Sequence, residues 1–450
     1  MTESSPAIYR SRDFSFFVSS RFLSTVAMMV QSVAIGWQIY DIERTPLALG
    51  MVGLCEFVPM FFLTLPAGEI SDRFDQRRVL AIAQAMQGVC AALFLAFSVV
   101  TPHDALPFYG VLVLFGAARG FSGPSGQSLI AFLVPQEKLT RSIALSSSVF
   151  TVAVISGPAL GGFLFVFGPV ATYSVCVACF LLAALCTVTL GGRTVTHVPG
   201  EATRLERVKE GIRFVRERPV VLGAISLDLF AVLLGGAVAL LPVYARDILR
   251  VGPVGLGILR SAPAVGAALT AFTLARWPIQ RKTGARMFAA VAIFGMATIV
   301  FGLSRSFYLS LAALAVTGAS DMISVFIRSS LIQFATPDAM RGRVSAVNML
   351  FIGASNELGE FESGTTAALF GTVPAVVVGG IGTLAVVAIW MWLFPPLRKV
   401  DRMTDVAPIS AGTKPSASPC RARVAADTAR SQSRCRRRRR EATPCRAPRR

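Results

Sequence analysis

The sequence predicts an all-α membrane protein in which twelve transmembrane helices form two bundles of six. Apolar residues make up 54% of the 450 residues, charged residues make up only 15%, and the mean hydropathy is +0.62. A soluble domain could not cover so much apolar surface, so the chain is predicted to be a polytopic membrane protein. An internal repeat and one long polar loop then divide it into two halves.

Twelve apolar runs are long enough to cross a hydrocarbon layer of about 30 Å at about 1.5 Å per helical residue. They predict transmembrane helices over 14–40, 47–70, 79–100, 106–134, 142–167, 170–190, 220–245, 254–276, 287–303, 308–334, 344–370 and 374–394. The first run is too long for the apolar core of a signal peptide, so we predict an uncleaved helix.

The longest loop, 191–219, separates the first six helices from the last six. Its second half places Leu205, Val208, Ile212 and Val215 at helical spacing among basic residues. This pattern fits an amphipathic helix on the inner membrane face, and it fits a solvated linker equally well. The predicted divisions are an N-terminus 1–13, a bundle 14–190, the linker 191–219, a bundle 220–394 and a basic disordered tail 395–450.

An internal repeat supports the same division. Ser128, Phe132, Pro135 and Arg141 recur at a constant offset of 202 residues as Ser330, Phe334, Pro337 and Arg343. The fourth helix therefore corresponds to the tenth in the same orientation. This is a parallel repeat, an arrangement that places a substrate path between the two halves in some transporters.

Loop charges predict the orientation in the membrane. Loops on the side of the N-terminus carry 20 Lys and Arg residues, whereas those on the opposite side carry four. Positive loops stay in the cytoplasm, so both termini are predicted to be cytoplasmic.

The polar break GEISDRFDQRR joins the second and third helices. It resembles the signature loop of major facilitator superfamily transporters through Gly68, Asp72, Arg73, Arg77 and Arg78, with Asp75 where that pattern usually has glycine. The resemblance implies that Asp72 lies against the N-terminus of the eleventh helix in the outward-open state, a favourable place for a carboxylate. The alternative is that these are ordinary loop charges.

The fifth helix contains Gly157, Pro158, Gly161 and Gly162. These residues remove one backbone donor, permit a bend and allow a neighbouring helix to approach closely. They resemble part of the fifth-helix motif of drug/proton antiporters, which implies export. The alternative is ordinary close packing.

A more extended resemblance covers roughly residues 10–400. It rests on five segments, Arg12–Phe14, Gln31–Trp37, Leu65–Gly68, Thr336–Asp338 and Arg341–Asn348. These are similar to the secretion-effector branch of the same superfamily. The resemblance implies a bacterial inner membrane protein that exports a small molecule of the siderophore or drug-like kind.

Ionisable residues at bilayer depth are costly, so each is a functional candidate. Glu56 and Asp228 fall near mid-depth, and the repeat makes Arg119 and Asp321 equivalent positions facing one another across the pseudo-twofold axis. We predict that this pair lines a central cavity, with Arg119 attracting an anionic substrate group and Asp321 carrying a coupling proton. A structural ion pair is the equal alternative.

The eleventh helix carries Glu357, Glu360 and Glu362. Glu357 and Glu360 share one face, where like charges favour keeping one of them protonated, as in a proton relay. Simple hydration is the alternative. The remaining membrane arginines, Arg21, Arg260 and Arg328, fall nearer the helix ends and are predicted to be mostly structural.

Residue types needed for other chemistries are missing from the sequence. Five of the eight cysteines lie inside apolar runs and there are only two histidines, so neither a disulfide framework nor a metal site is predicted. The phosphate-loop, zinc-protease and nucleophile-elbow motifs are absent. The sequence therefore predicts no enzymatic activity and no cofactor.

The tail holds 16 Lys and Arg residues against four Asp and Glu, and no apolar periodicity, which predicts disorder. It could bind anionic lipid headgroups, or nucleic acid without specificity, and an unselected extension fits equally well. Deleting residues after Val400 is therefore expected to leave transport intact.

Taken together, these features predict a secondary transporter that exports a small organic molecule by alternating access, coupled to protons and acting as a monomer. An uncoupled facilitator or importer is one alternative. A receptor or scaffold that kept the fold but not transport is another.

Overall fold

The computed structural model describes residues 12–100, 104–134, 136–191, 204–337 and 340–406. In these ranges the regular structure is helical and contains no strand. The first half consists of α1 Arg12–Glu43, α2 Pro46–Arg73, α3 Gln76–Val100, α4 Leu106–Leu133, α5 Gln136–Phe165 and α6 Pro169–Val188. The second half follows the linker helix α7 Arg204–Glu217.

The second half begins with an interrupted helix. α8 Pro219–Gly235 continues through a 3-10 turn Ala237–Leu240, the short α9 Leu241–Val243 and a π-turn Tyr244–Ile248. The helices that follow are α10 Gly252–Arg276, α11 Thr283–Leu303, α12 Phe307–Ala335, α13 Arg341–Phe370 and α14 Thr372–Leu393. The described chain ends with α15 Pro395–Arg398 and a 3-10 turn Met403–Val406.

All twelve predicted apolar runs fold as helices. Eleven segments among the described residues are long and apolar enough to cross a membrane, one of them the interrupted segment Pro219–Ile248. The twelfth long helix, α13, has 30 residues and carries three glutamates, which lower its hydropathy. The predicted all-α membrane fold with two bundles is confirmed.

Each half has its own apolar core. In the first half, Phe94 stacks on Phe108 and on Tyr173, with ring centroids 5.8 and 5.7 Å apart. In the second half, α8, α11, α12 and α14 share a separate cluster of buried side chains. Local packing therefore holds most of each bundle together, and Val33 of α1 joins a further cluster of the second half that includes Tyr244.

The two halves meet at the distal end, by which we mean the end of the bundle where α1 finishes. There Tyr40 donates a hydrogen bond to Asp247, and Arg246 lies 2.5 Å from Asp41. The Arg246 guanidinium also lies 5.5 Å from the centre of the Trp37 ring. These contacts join the end of α1 to the segment that follows α8.

Glycines let helices of the two halves approach closely at the same end. A Cβ atom at Gly162 would lie 3.0 Å from the Gly257 Cα atom, and one at Gly50 would lie 3.2 Å from the Gly364 Cα atom. These contacts pack α5 on α10 and α2 on α13. Gly161, in the predicted α5 motif, packs instead against Val30 of α1. The motif thus serves close packing on two sides.

The linker segment forms the amphipathic helix α7, rather than an extended chain. Its apolar side chains Val208 and Val215 belong to a cluster with Val344 and Val347 of α13. Glu210 forms an ion pair with Arg343. The apolar face of α7 therefore packs on the second half, in addition to any contact with lipid, and residues 192–203 lie outside the described chain.

A buried ion pair lies inside the second half between α8 and α12. Arg328 is 2% exposed and pairs with Asp228, which also accepts a hydrogen bond from Ser324 at 3.3 Å. Asp321 interacts electrostatically with both members of the pair. Arg328 is enclosed by the core and does not lie near a helix end as the sequence suggested, and its pairing with Asp228 within one bundle fits the predicted structural role.

The packed chain extends past the predicted start of the tail at residue 395. Leu397 is fully buried, and Asp401 caps the start of α11. The Asp401 side chain accepts from the Lys282 backbone at 2.9 Å, and its carbonyl oxygen accepts from the Thr283 backbone at 3.1 Å and hydroxyl at 2.9 Å. Residues up to Val406 therefore belong with the bundle, and the predicted tail narrows to 407–450, outside the described chain.

This boundary changes the truncation prediction. Deleting residues 407–450 should leave the melting temperature in detergent unchanged. Deleting everything after Val400 should lower it, because loss of a helix cap costs about 0.5–2 kcal/mol. Asp401→Ala should cause only part of that loss, because it removes the side-chain acceptor for Lys282 and keeps the carbonyl oxygen that accepts from Thr283. Asp405→Ala removes an acceptor for the nearby Arg402 backbone and serves as the control. Equal melting temperatures for the two truncations would contradict the capping role.

The buried pair gives a second prediction. Arg328→Leu should destabilise the protein by about 3–5 kcal/mol, because it leaves Asp228 charged and unpaired in the core. Asp228→Leu combined with Arg328→Leu should recover most of that loss. Chemical denaturation in detergent measures both, with Arg213→Leu of the exposed Arg213–Glu217 pair as control. A double variant as unstable as the single one would argue against this account.

Candidate functional site

A cavity of about 180 Å³ lies between the two halves at mid-depth. Its walls come from α1, α2, α4, α10 and α13, with Ala239 and Pro242 from the interrupted helix. Seven polar side chains line it, namely Gln31, Ser32, Glu56, Arg119, Arg260, Glu357 and Glu360. The remaining wall is apolar and includes two neighbouring methionines.

Arg119 connects the two halves through the cavity wall. Its guanidinium pairs with Glu56 of α2 and, at 3.3 Å, with Glu357 of α13. The side chains are 24%, 12% and 15% exposed respectively, so the ion pairs are largely shielded from solvent. Gly116, one turn before Arg119, packs directly on the Glu56 backbone, where a side chain would not fit. This close approach of α4 to α2 brings the charged groups together.

Arg260 supplies a second guanidinium from α10. It donates a hydrogen bond to the Ser32 hydroxyl at 2.8 Å and interacts electrostatically with Glu56 and Glu360. Arg260 therefore lies in the cavity wall, and not near a helix end as the sequence had suggested. The sequence contained a signal for this location. Arg260 lies eight residues after the start of α10, about 12 Å into the membrane, which is too deep for its guanidinium to reach the membrane surface easily.

Gln31 was not among the predicted site residues. It is 1% exposed, and neither polar atom of its side-chain amide has a hydrogen-bonding partner among the described residues. A buried amide without a partner is costly, so one that lines a cavity is available for a water molecule or a ligand. One uncharged glutamine in an apolar helix gave too weak a signal to be found from the sequence.

Four of the six predicted pathway residues gather in this cavity, namely Arg119, Glu56, Glu357 and Glu360. Asp228 and Asp321 belong instead to the buried cluster around Arg328. The interpretation of Arg119 and Asp321 as a facing pair is therefore corrected, since each has its charged partners elsewhere. The repeat makes their positions equivalent along the helices, but their partners depend on which neighbouring helices carry carboxylates.

The loop between α2 and α3 is ordered around Asp75 and Arg77. Asp75 accepts from the Arg77 backbone at 2.9 Å and pairs with the Arg77 and Arg78 side chains at 3.3 and 3.9 Å. Arg77 also donates to the Leu190 carbonyl oxygen at 2.5 Å. Asp75 thus caps α3 at the position where the pattern usually has glycine.

The structure describes only part of the rest of this motif. Gly68 lies buried in α2. The Asp72 and Arg73 side chains fall outside the described part of the structure, so the implied contact between Asp72 and the start of α13 is still a prediction.

A protein family and several bacterial exporters match most of the chain in sequence. Residues 3–416 match the family described as transmembrane secretion effector. The enterobactin exporter EntS of Shigella boydii is 24% identical over 387 residues, which are 84% of this chain and 91% of the exporter. The enterobactin exporter EntS of Citrobacter koseri is 24% identical over 400 residues, 87% of this chain and 94% of that protein.

Solved transporter structures show the same fold at low sequence identity. A mutant of the nucleoside transporter NupG has a TM-score of 0.70 and 11% identity, covering 85% of this chain and 99% of its own. A D-xylose–proton symporter has a TM-score of 0.62 and 14% identity, covering 86% and 97%. With a family match over nearly the whole of the bundle, the chain is a membrane transporter of the major facilitator type, and it belongs to the transmembrane secretion effector family.

Proposed function

We propose that the protein exports a small organic molecule across the inner membrane of a bacterium by alternating access, in exchange for protons. The observation that carries this proposal is the cavity between the halves, where charged side chains from both bundles meet at mid-depth. A cavity with convergent polar groups between two repeated bundles is the usual form of a transport site.

The closed distal end supports the direction of transport. Tyr40, Asp41, Arg246 and Asp247 join the halves there, and glycine contacts bring the helices together beside them. We infer that a substrate would reach the cavity from the opposite, proximal end. The loop charges predict that the proximal end and both termini are cytoplasmic, so a cytoplasmic substrate could enter.

Each group of residues has a proposed role. Glu56, Arg119, Glu357 and Glu360 form the substrate and proton site. Asp228 and Asp321 lie outside the cavity, so in this proposal they support the second bundle, and Asp321 is kept as an alternative proton carrier. Separation of the halves at the distal end would part the α5 motif from α10, and its residues are Gly157, Pro158, Gly161 and Gly162. The α2–α3 loop at the proximal end would then approach the start of α13, and its motif residues are Gly68, Asp72, Arg73, Arg77 and Arg78.

The names of the relatives support export and a siderophore or drug-like substrate, since those relatives are described as enterobactin exporters. We propose that the transporter acts as a monomer, because the cavity is complete within one chain. Anionic lipid is the proposed contact of the basic tail, which lies outside the described residues.

Two alternatives have different consequences. An uncoupled facilitator or importer could use the same fold, because transporters with different substrates, a nucleoside transporter and a D-xylose–proton symporter, share it. A receptor or scaffold without transport would need no cavity that joins both halves, and the cavity therefore favours transport over that alternative.

Comparative metabolite profiling tests the export proposal. Medium from cells that lack the gene should be depleted in at least one small organic molecule that wild-type cells release, under iron limitation, iron sufficiency or both. Complementation with wild type should restore release. Complementation with Arg119→Ala should not, because the variant leaves Glu56 and Glu357 without their guanidinium, provided that the variant is present in the membrane fraction. Identical media from all four strains would contradict export.

Proton coupling is tested separately in inverted membrane vesicles. Accumulation of the identified substrate should stop when a protonophore collapses the proton gradient. Accumulation that persists would indicate a facilitator instead. Asp321→Asn distinguishes the two candidate proton sites, because it should leave gradient-driven accumulation intact if the cavity carries the proton and abolish it if Asp321 does.

A further inference from the structure

We propose that the cavity selects a molecule with one positive charge, and that this cation and a single proton compete for the same excess negative charge. The inference rests on the proposed function, because it names the substrate class and the exchange that the transport site would support. It follows from the charges, pairing and burial of the side chains that line the cavity.

The cavity contains more negative than positive side chains. Three carboxylates line it, those of Glu56, Glu357 and Glu360, against two guanidiniums, those of Arg119 and Arg260. With every group ionised the cluster carries one excess negative charge. In a shielded site at mid-depth an uncompensated charge is costly, so the favoured states hold one additional positive charge.

Arg119 is not available to bind an anion. Both ends of its guanidinium fork are occupied, one by Glu56 and the other by Glu357. An anionic ligand would have to displace one of these carboxylates and leave it unpaired. This arrangement opposes the sequence-based expectation that Arg119 attracts an anionic substrate group.

Glu360, Gln31 and Arg260 are the groups left for a ligand. In the described part of the chain Arg260 makes one side-chain hydrogen bond, to Ser32, and its positive charge is already included in the excess of one negative charge. Among the described residues no side chain pairs with Glu360 through a hydrogen bond or an ion pair within 4 Å. Gln31 is buried with both amide atoms unpartnered, and it lines the same cavity. An ammonium group carries several N–H donors, so it could satisfy the Glu360 carboxylate and the Gln31 carbonyl oxygen together. The apolar wall at Met28, Met29 and Phe115 suits an attached hydrocarbon or ring.

Charge balance then links the ligand to the proton. The groups that act electrostatically on Glu360 are Glu357 on its own helix, Glu56 on α2, Arg119 on α4 and Arg260 on α10. When the cation leaves, the cluster regains its excess negative charge unless a carboxyl group binds one proton. When the cation binds, that proton is released. The expected exchange is therefore one proton for one monovalent cation.

Three probes with the same phenyl group but different charge test the inference on the purified full-length protein in detergent. They are 2-phenylethylammonium, 2-phenylethanol and 3-phenylpropionate. Equilibrium dialysis should show the cation binding at least about tenfold more tightly than the anion, a difference of about 1.4 kcal/mol.

In weakly buffered solution, a pH indicator should report the release of up to one proton per protein on binding of the cation. Cation affinity should fall as the pH is lowered, by up to about tenfold per pH unit, because protons then occupy the site.

A matched pair of variants locates the site on α13. Glu360→Gln keeps the side-chain shape and removes the charge, so cation binding should weaken at least about tenfold and proton release should disappear. Glu362→Gln, on the same helix but outside the cavity lining, should behave like wild type. Glu362 instead accepts a hydrogen bond from Thr366 at 2.8 Å.

Several outcomes would overturn the inference. Anion binding as tight as cation binding, no binding of the cation, or cation binding without proton release would each do so in the wild-type protein, whatever the folding of the variants. These results are independent of the export tests. If the cation releases a proton but no molecule is exported, the inference stands and the proposed function is refuted. If the exported molecule is an anion, the proposed function stands and the inference is refuted.

Discussion

The ion pairs of Arg119 with Glu56 and Glu357 are the contacts on which the proposed transport site depends. An isolated charge in a hydrocarbon environment is costly, so the sequence can place ionised side chains at mid-depth only where they meet. Here one guanidinium from the first half pairs with carboxylates on its own half and on the other. The same pairing fixes the rotation of α2, α4 and α13 about their axes, and it joins the two bundles at the level where a substrate would bind.

The two buried charge clusters differ in a way that separates structure from function. Asp228 and Arg328 lie within one bundle, enclosed by its core, and have no reason to separate when the bundles move. The cluster at the cavity spans both bundles and holds unequal numbers of acidic and basic groups. Each cluster holds one more acidic than basic group, because Asp321 joins Asp228 and Arg328. Only the cavity cluster lies at the boundary between the bundles, and that position suits it to the proposed exchange.

Close helix packing and polar contacts both join the halves at the distal end. The glycine contacts between α2 and α13 and between α5 and α10 bring backbones together over small surfaces. The polar contacts of Tyr40, Asp41, Arg246 and Asp247 lie at the adjoining ends of α1 and the interrupted helix, where water can reach them. A smaller apolar contact crosses between the halves at the same end, where Val33 of α1 is buried among side chains of the second half. The proposed separation of the halves would therefore expose this apolar contact and break the polar ones, while most of each core stays packed.

The class of protein, the long helices and their division into two halves could all be predicted from the amino-acid sequence, which also named four of the residues that line the cavity. Apolar length and the 202-residue repeat are one-dimensional signals, and the hydrocarbon thickness converts them directly into helices. The pairing of Arg119 with Glu56 and Glu357, the place of Arg260 and Gln31 in the cavity wall, and the location of Asp321 outside it became visible only in the folded chain. They could not be predicted because the lipid-facing and protein-facing sides of a membrane helix are both apolar. The sequence pattern therefore fixes the depth of a side chain but not the direction in which it points.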